Sequence, residues 1–336
     1  MNKHNIAVIG ATGAVGREAL SILSNLGIPK ENIIAIASEN SVSQLVPYGD
    51  KENLIVKNIH DVNFKSCDFA IFSAGSSVSE KYANYVASQG CIVIDNTSYF
   101  RMHENIPLIV PEINFDDLKK YRSNIIANPN CSTIQMVMAL KPLHDVFKLK
   151  ELVVSTYQST SGAGYKGVNE LIKQHEQLIR QKPICPQCFK KQIAFNVIPQ
   201  IDEFIDTGYT KEEMKMINET KKILNLEDIH ITATCVRVPV VRGHAVSVFA
   251  KFEKEIEKNK AIEIMNNFEG VTVSNDQYIT PIDVAYNDDV FVSRIRKHPS
   301  IENALSFWCV SDNLRKGAAL NAIQIASKII KNNYQC

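Results

Sequence analysis

Residues 5–16 read NIAVIGATGAVG, and this stretch decides the fold. Asn5 to Ile9 make a short apolar run, the pattern of a strand buried on both faces, and Gly10 stops it. From Val15 onward Val15, Ala19, Ile22, Leu23 and Leu26 keep to one helical face, with Gly27 and Pro29 placed to end the helix. Gly10, Gly13 and Gly16 therefore lie in a strand-to-helix turn. There glycines let the backbone approach a pyrophosphate, and the helix start stabilises its charge. A tight turn needing positive φ is the plain alternative for any single glycine, but the setting favours a dinucleotide cradle over residues 10–16.

The same grammar continues outward. Residues 33–37 and 68–74 (DFAIFSA) read as strands; a helical pattern through Val78, Tyr82, Tyr85 and Val86 runs to Gly90; CIVI at 91–94 is the next strand. This alternation predicts a doubly wound parallel sheet. After 125–127 and NPNCST, the spacing of Ile134, Val137, Met138 and Leu140 predicts a helix. Strand-like runs at 152–157, 231–240, 245–252, 291–296 and 305–310 then follow with fewer helices between them, as in a mixed sheet covered on one side. The expected organisation is a dinucleotide-binding domain at 1–130, a second α+β domain at 131–312, and a helix at 313–336 that returns to the first. Leu320, Ile323, Ala326 and Ile330 mark the register of that helix. Residues 181–191 (QKPICPQCFKK) read as an exposed loop.

Composition narrows the function classes. The 336 residues are 45% hydrophobic and 22% charged, enough for two cores. With 37 Lys+Arg against 36 Asp+Glu, bulk charge draws the chain to neither nucleic acid nor an acidic membrane, so any anion site is local. No run approaches a membrane span, and the first strand arrives too soon for a signal peptide. Eight scattered cysteines (67, 91, 131, 185, 188, 235, 309, 336), several in apolar runs, suggest reduced thiols and a cytoplasmic protein.

Four features carry chemistry. Cys131 in NPNCST stands at the mouth of a helix, where the dipole and unpaired amides favour a thiolate. Those amides, with the Asn130 side chain, suit the oxyanion of a tetrahedral intermediate, on the order of 3 kcal/mol per donor. His244 follows a Gly turn in RVPVVRGH and opens an alternating strand, a placement that suits acid–base work better than His103, His144 or His175. Arg101, Lys222 and Arg237 are the basic residues fit to clamp phosphate or carboxylate. Glu219 and Lys222, three apart, share a helical face, a spacing that alone fits a surface ion pair. After the second strand, Ser38-Glu39-Asn40 falls where an adenosine ribose would lie; a carboxylate there favours a free 2′-hydroxyl and NAD, an arginine the 2′-phosphate of NADP. Cys185 and Cys188 (CPQC) have the spacing of half a zinc site or a redox pair, but no second pair of ligands is near, so they read as loop thiols and no metal is expected.

Nine blocks in order, GATGAVG, FSAGSSVSEKYA, DNTSYFRM, NPNCSTIQM, STYQSTSGAG, AFNVIPQID, EEMKMINETKKIL, TCVRVPVVRGH and SDNLRKGAA, strongly resemble the aspartate-semialdehyde dehydrogenase family of the bacterial type. The resemblance runs from first strand to last helix. It implies a Rossmann-like domain with a glyceraldehyde-3-phosphate-dehydrogenase-like second domain, and NADPH-dependent reductive dephosphorylation of L-4-aspartyl phosphate to L-aspartate 4-semialdehyde. That step serves the routes to diaminopimelate and lysine, threonine, methionine and isoleucine. Carried over by position, Cys131 resembles the nucleophile, His244 the acid–base residue and Gln158 the residue orienting the acyl intermediate. Arg101 and Lys222 resemble the phosphate pair, and Arg237 and Glu219 the holders of the α-carboxylate and α-ammonium. Thr12, Gly13, Ala14, Val15, Ser161, Gly162 and Asn313 fall in stretches like the family's cofactor contacts. A homodimer or homotetramer built through the second domain is also implied.

Two departures stand out. Where relatives often read SAR, this chain has Ser38-Glu39-Asn40, which sets NAD against the NADP that the resemblance implies, and the 181–191 segment looks shorter. The nearest rival reading is an N-acetyl-glutamyl-phosphate reductase. Its substrate lacks the free ammonium that Glu219 would meet, and its cysteine usually follows Pro-Gly. A non-catalytic nucleotide sensor that keeps the fold is the rival from another class; having Cys131, Gln158, Arg237 and His244 together argues against it.

Overall fold

The computed structural model describes Met1 and residues 3–334. Gln335 and Cys336, the end of the expected C-terminal helix and one of the eight thiols, lie outside the described residues. By its internal contacts the chain divides into one unit of Met1–Asn130 with Ala318–Cys336 and another of Cys131–Gly317.

In the first unit β1 (Ile6–Ile9), α1 (Ala14–Asn25) and β2 (Ile33–Ile36) are followed by a hairpin of β3 (Leu45–Tyr48) and β4 (Glu52–Ile55). Then come β5 (Phe69–Phe72), α2 (Ser76–Ser88), β6 (Ile92–Asp95), the single turn α3 (Pro111–Asn114) and β7 (Ile125–Ala127). The five-stranded sheet runs β2-β1-β5-β6-β7, and every pairing in it is parallel. β1, β5 and β7 are buried at every residue, which is why they read as unbroken apolar runs. The hairpin escaped the sequence reading because its strands are four residues long, one carries Pro47, and only Val46, Tyr48 and Leu54 turn inward. Tyr48 pins it by donating to the Ile28 carbonyl at 2.6 Å.

The glycine turn is a packing requirement. Gly10 has φ +90°, and a Cβ there would lie 2.8 Å from the Ser73 backbone; a Cβ on Gly16 would lie 2.1 Å from the Gly10 carbonyl oxygen. Gly13 caps α1 without a side-chain hydrogen bond, so no capping side chain covers the first amides of the helix.

The second unit opens with α4 (Cys131–Phe147) and β8 (Leu149–Gln158), followed by α5 (Gly164–Ile179) and α6 (Lys211–Leu224). β9 (His230–Arg237), β10 (His244–Phe252), α7 (Lys258–Asn266), β11 (Val271–Ser274), β12 (Val290–Lys297) and β13 (Ala304–Ser311) complete it. Its sheet runs β11-β12-β13-β10-β8-β9 and is mixed: β8 with β9 and β11 with β12 are parallel, the rest antiparallel. β9 stops at Arg237, three residues earlier than the sequence suggests, because Pro239 has no N–H to donate to a ladder. A register shift in β12 places Arg294 at φ +57°. α6 starts with a reciprocal capping box between Thr210 and Glu213 and ends on Asn225 in the left-handed region.

The chain leaves this unit five residues later than the expected seam at 312. Asp312 accepts from Arg242 Nε and from the Tyr286 amide, both at 2.6 Å, and Asn313 Oδ1 accepts from the Gly243 amide at 2.9 Å, so this segment stays with the second unit. A π-turn (Arg315–Ala319) precedes α8 (Leu320–Lys331), which packs against α1, α3 and β6 in the first unit. Gly16→Ala is expected to lower stability by about 1–3 kcal/mol through overpacking, read as a reduced urea midpoint; Gly13→Ala, whose Cβ would lie 3.3 Å from the Gly10 oxygen, is expected to cost less.

Candidate active site

Sheet register assembles the core of the site. β8 and β9 run parallel with Gln158 opposite Arg237, and antiparallel β10 begins at His244 beside them, opposite Ser311 at the end of β13. Four segments therefore present Gln158, Arg237, His244 and Asn313 at one end of one sheet. All four are nearly or wholly buried. α4 docks on this sheet through its first turns: Ser311 Oγ donates to Gln135 Oε1 at 2.7 Å, and the Cys309 thiol meets the Gln135 carbonyl. That fixes Cys131, the first residue of α4 and a partly exposed thiol, at the same end. Gly317 follows, and a Cβ on it would lie 2.9 Å from Cys131 Cβ.

His244 is wholly buried. Its Nδ1 accepts the Ser159 amide proton at 3.0 Å and lies 3.0 Å from Ser159 Oγ, whereas Nε2 has no hydrogen-bond partner among the described residues. Ser159 Oγ, Ser161 Oγ and the Asn313 amide form a network behind the ring, with contacts of 3.0–3.3 Å. Nε2 opens onto Gly162: a Cβ there would sit 3.0 Å from Nε2 and 2.6 Å from Arg237 Nη1, so this glycine keeps the space before both groups clear. Burial, with the Arg237 charge, pushes His244 down to about 3, and a hydrogen bond with the Gly243 backbone and the Glu212 charge oppose that shift.

Arg237 is 6% exposed. Nη1 donates to the Ser159 carbonyl at 2.7 Å and the guanidinium lies 6.0 Å over the Phe189 ring, but no carboxylate is within ion-pair distance of it among the described residues. Burial lowers its pKa, while charge on Glu212 and Cys131 acts to hold its proton. Glu212 also fixes Gln158, whose Nε2 donates to Glu212 Oε1 at 3.2 Å and Thr156 Oγ1 at 3.3 Å. The amide oxygen is thus the group left to face the site. Further along α6, Met216 sulfur meets Thr133 Oγ1 of α4 at 3.4 Å, and Glu219, one turn on, is 1% exposed. Burial pulls the half-buried Lys222 down and Glu219 opposes it.

The remaining predicted residues belong to the first unit. Arg101 donates from Nε to the Asn128 carbonyl and from Nη2 to that of Asn96, both at 2.9 Å, and Asn321 of α8 ties Asn128 in place at 2.7 Å. Asn130 is buried at the end of this unit. Ser38, Glu39 and Asn40 line a cavity of about 410 Å³ with Ile9, His60 and Tyr82, at the carboxyl ends of β1 and β2 beside the glycine turn. A close-packed turn with uncapped amides, next to a cavity the size of a nucleoside, fits an NAD(P) dinucleotide. Among the described residues no three His, Cys, Asp or Glu gather as a metal would require; Cys185 and Cys188 are free thiols, with the Gln187 and Cys188 amides donating to Glu170.

Sequence reasoning missed Glu212, Ser159 and Gly317. Glu212 sits in a first helical turn, where acids are commonplace, and Ser159 acts through its backbone; neither leaves a pattern in the sequence.

A nucleotide-type parallel sheet, joined in one chain to a mixed sheet that gathers Gln158, Arg237 and His244 at one end, is the architecture of a nicotinamide-dependent oxidoreductase. Residues 5–121 match the semialdehyde dehydrogenase NAD binding domain, and residues 140–316 the semialdehyde dehydrogenase dimerisation domain. The aspartate-semialdehyde dehydrogenase of Campylobacter jejuni is 48% identical over 97% of each chain, and that of Aquifex aeolicus 46% over 98% of each. The crystal structure of aspartate semialdehyde dehydrogenase II of Vibrio cholerae, complexed with ASA, superposes with a TM-score of 0.96 at 42% identity, covering 98% of this chain and 99% of that one. The chain belongs to the aspartate-semialdehyde dehydrogenase family.

Gly162→Ala and Gly317→Ala test the site directly, since each adds a methyl within 3 Å of Arg237, His244 or Cys131. Each is expected to lower kcat/KM by on the order of 100-fold through misplacement of a reacting group. An unchanged circular dichroism spectrum would separate this loss from unfolding.

Proposed function

We propose that this enzyme reduces L-4-aspartyl phosphate to L-aspartate 4-semialdehyde through a thioester on Cys131, releasing phosphate. The observation that carries the reading is the Arg237 guanidinium: buried, without an ion-pair carboxylate among the described residues, and within electrostatic reach of a partly exposed thiol. A buried charge demands a counter-charge, and a substrate carboxylate supplies one. The ASA bound in the Vibrio cholerae relative supports the substrate class.

In this reading the Cys131 thiolate attacks the acyl carbon. Asn130 and the first amides of α4 stabilise the oxyanion, and the C–O bond to phosphate breaks with its electron pair leaving on phosphate. Lys222 and Arg101 provide charge for the leaving phosphate, Glu219 takes the α-ammonium, and Gln158 offers its amide oxygen to orient the acyl group. His244 serves the substrate oxygen, in the acid–base role that the resemblance gives it. When bound, the reduced nicotinamide supplies the hydride that brings the thioester to the aldehyde level; residues 12–16, Ser161, Gly162 and Asn313 hold that cofactor. Loss of sulfur as thiolate then frees the aldehyde.

The resemblance implies NADP, but the cavity at 38–40 offers Glu39 and Asn40 where a 2′-phosphate needs a cation, so we propose that NADH serves at least as well as NADPH. The family's dimerisation domain supports a homodimer, or a tetramer built from it, in the cytoplasm; no helix among the described residues is long and apolar enough to cross a membrane.

Turnover of aspartyl phosphate should vanish in Cys131→Ala, and preference for N-acetylglutamyl phosphate would overturn the substrate assignment. Initial rates with each coenzyme check the NADH claim: a kcat/KM tenfold higher with NADPH would refute it. Arg237→Met is expected to cost about 2–5 kcal/mol of transition-state stabilisation, more than about 30-fold in kcat/KM, with little loss of stability because an unpaired buried charge is removed. Paired kinetic and urea-unfolding measurements check both halves.

A further inference from the structure

Asp95 is a buried carboxylate outside the groups assigned to the reaction. It ends β6 with no exposed surface, and burial pushes its carboxyl up. Three neutral donors within the first unit answer it. Ser79 Oγ of α2 at 2.8 Å and the Thr97 amide at 3.0 Å both reach Oδ1, and Thr97 Oγ1 reaches Oδ2 at 2.8 Å. Thr97 Oγ1 also accepts from the Tyr99 amide at 3.3 Å, so a line of hydrogen bonds runs from the strand end into the turn that carries Arg101.

We propose that Asp95 is a positioning residue for phosphate: it clamps the peptide between Asn96 and Thr97, whose carbonyl aims the Arg101 guanidinium. This rests on the reading of Arg101 as a holder of the leaving phosphate and adds the group that orients it.

Two carbonyls set that aim. Arg101 gives Nη2 to Asn96 and Nε to Asn128, each at 2.9 Å, which fixes the plane of its fork. The Asn128 side is braced by the sheet and by side chains: its amide donates to the Asp95 carbonyl at 2.8 Å, and Asn96 and Asn321 hold its side chain at 2.6 and 2.7 Å. The Asn96 side has less support. Its amide donates to the Phe72 carbonyl at 2.9 Å, and beyond it the chain leaves the sheet. A peptide unit is planar, with C=O and N–H pointing opposite ways, so whatever holds the Thr97 N–H also sets the direction of the Asn96 carbonyl. Asp95 Oδ1 is the group that holds it.

The charges at the two ends of this peptide reinforce each other. A carboxylate on the N–H polarises the unit and makes its carbonyl a better acceptor for a guanidinium, and the Arg101 charge in turn acts to keep Asp95 ionised. Ser79 and the Thr97 hydroxyl keep the carboxylate from turning away from the amide.

Steady-state kinetics of the full-length enzyme in the oxidative direction, with L-aspartate 4-semialdehyde, coenzyme and inorganic phosphate, tests this. Asp95→Ala is expected to raise KM for phosphate by on the order of 10-fold while KM for the semialdehyde stays within about 2-fold. Asp95→Asn, which keeps an oxygen for the Thr97 amide, is expected to stay within about 3-fold of wild type for phosphate. Should the alanine variant fail to fold, Thr97→Val, nearly isosteric and lacking one donor to Asp95, is expected to raise phosphate KM by about 3-fold. Phosphate KM unchanged in the folded variants, equal rises for phosphate and semialdehyde, or an asparagine variant as impaired as the alanine one overturns the proposal. So does a further rise when either substitution is added to Arg101→Met, because a residue acting through Arg101 then has nothing left to orient. If Arg101→Met alone leaves phosphate KM unchanged, the assignment of Arg101 to phosphate is what fails.

Discussion

One buried positive charge organises the second unit. Arg237 lies at the end of the edge strand β9 with 6% of its surface exposed, and taking a guanidinium this far from water costs several kcal/mol unless something answers it. The protein answers only in part: a backbone carbonyl accepts one N–H, an aromatic face lies 6.0 Å away, and Glu212 acts through space while its own oxygens serve Gln158 and Lys215. A fold that wanted stability alone would place a carboxylate in contact or an apolar side chain at this position. Leaving the charge half-answered sets up attraction for an anionic ligand at the moment it excludes water.

The second sheet turns this local strain into a site. Parallel pairing of β8 with β9 sets Gln158 against Arg237, and antiparallel pairing of β10 with β13 sets His244 against Ser311, so four chain segments end at one level. The head of α4 is held to that level by Gln135 and crowded by Gly317. Two glycines then shape the space by lacking a side chain: Gly317 gives room to the Cys131 backbone, and Gly162 gives room before Arg237 and His244. Their place in the protein is defined by close approach, whatever their conformational freedom.

Much of this was legible in the sequence, for definable reasons. Strands buried on both faces leave unbroken apolar runs, so β1, β2, β5, β6 and β7 were readable; a helix whose periodicity begins right after NPNC places Cys131 at its head without any structure. What eluded reading depends on tertiary pairing or on backbone. The β3–β4 hairpin and β11 bury too few side chains to leave a period, the helix α5 is largely polar, and Pro239 trims β9. Glu212 looks like an ordinary helix-start acid until register sets Gln158 within its reach. The Ser159 amide could not be singled out by any sequence rule, since every residue but proline has one.

Charge arithmetic links these features. A pocket that already buries one permanent cation without a contact carboxylate has little room for a second, because two like charges at close range in a poorly hydrated space repel by several kcal/mol. The histidine beside Arg237 is therefore held neutral at rest, chiefly by burial of the ring and by the guanidinium charge. The division of labour follows from electrostatics: the fixed guanidinium suits a charge the substrate carries throughout, and a ring that is neutral at rest suits an oxygen whose charge appears only as bonds to carbon form and break. If His244 were charged as well, the site would bind the ground-state anion more tightly and gain less in the transition state, the opposite of what accelerates a reaction.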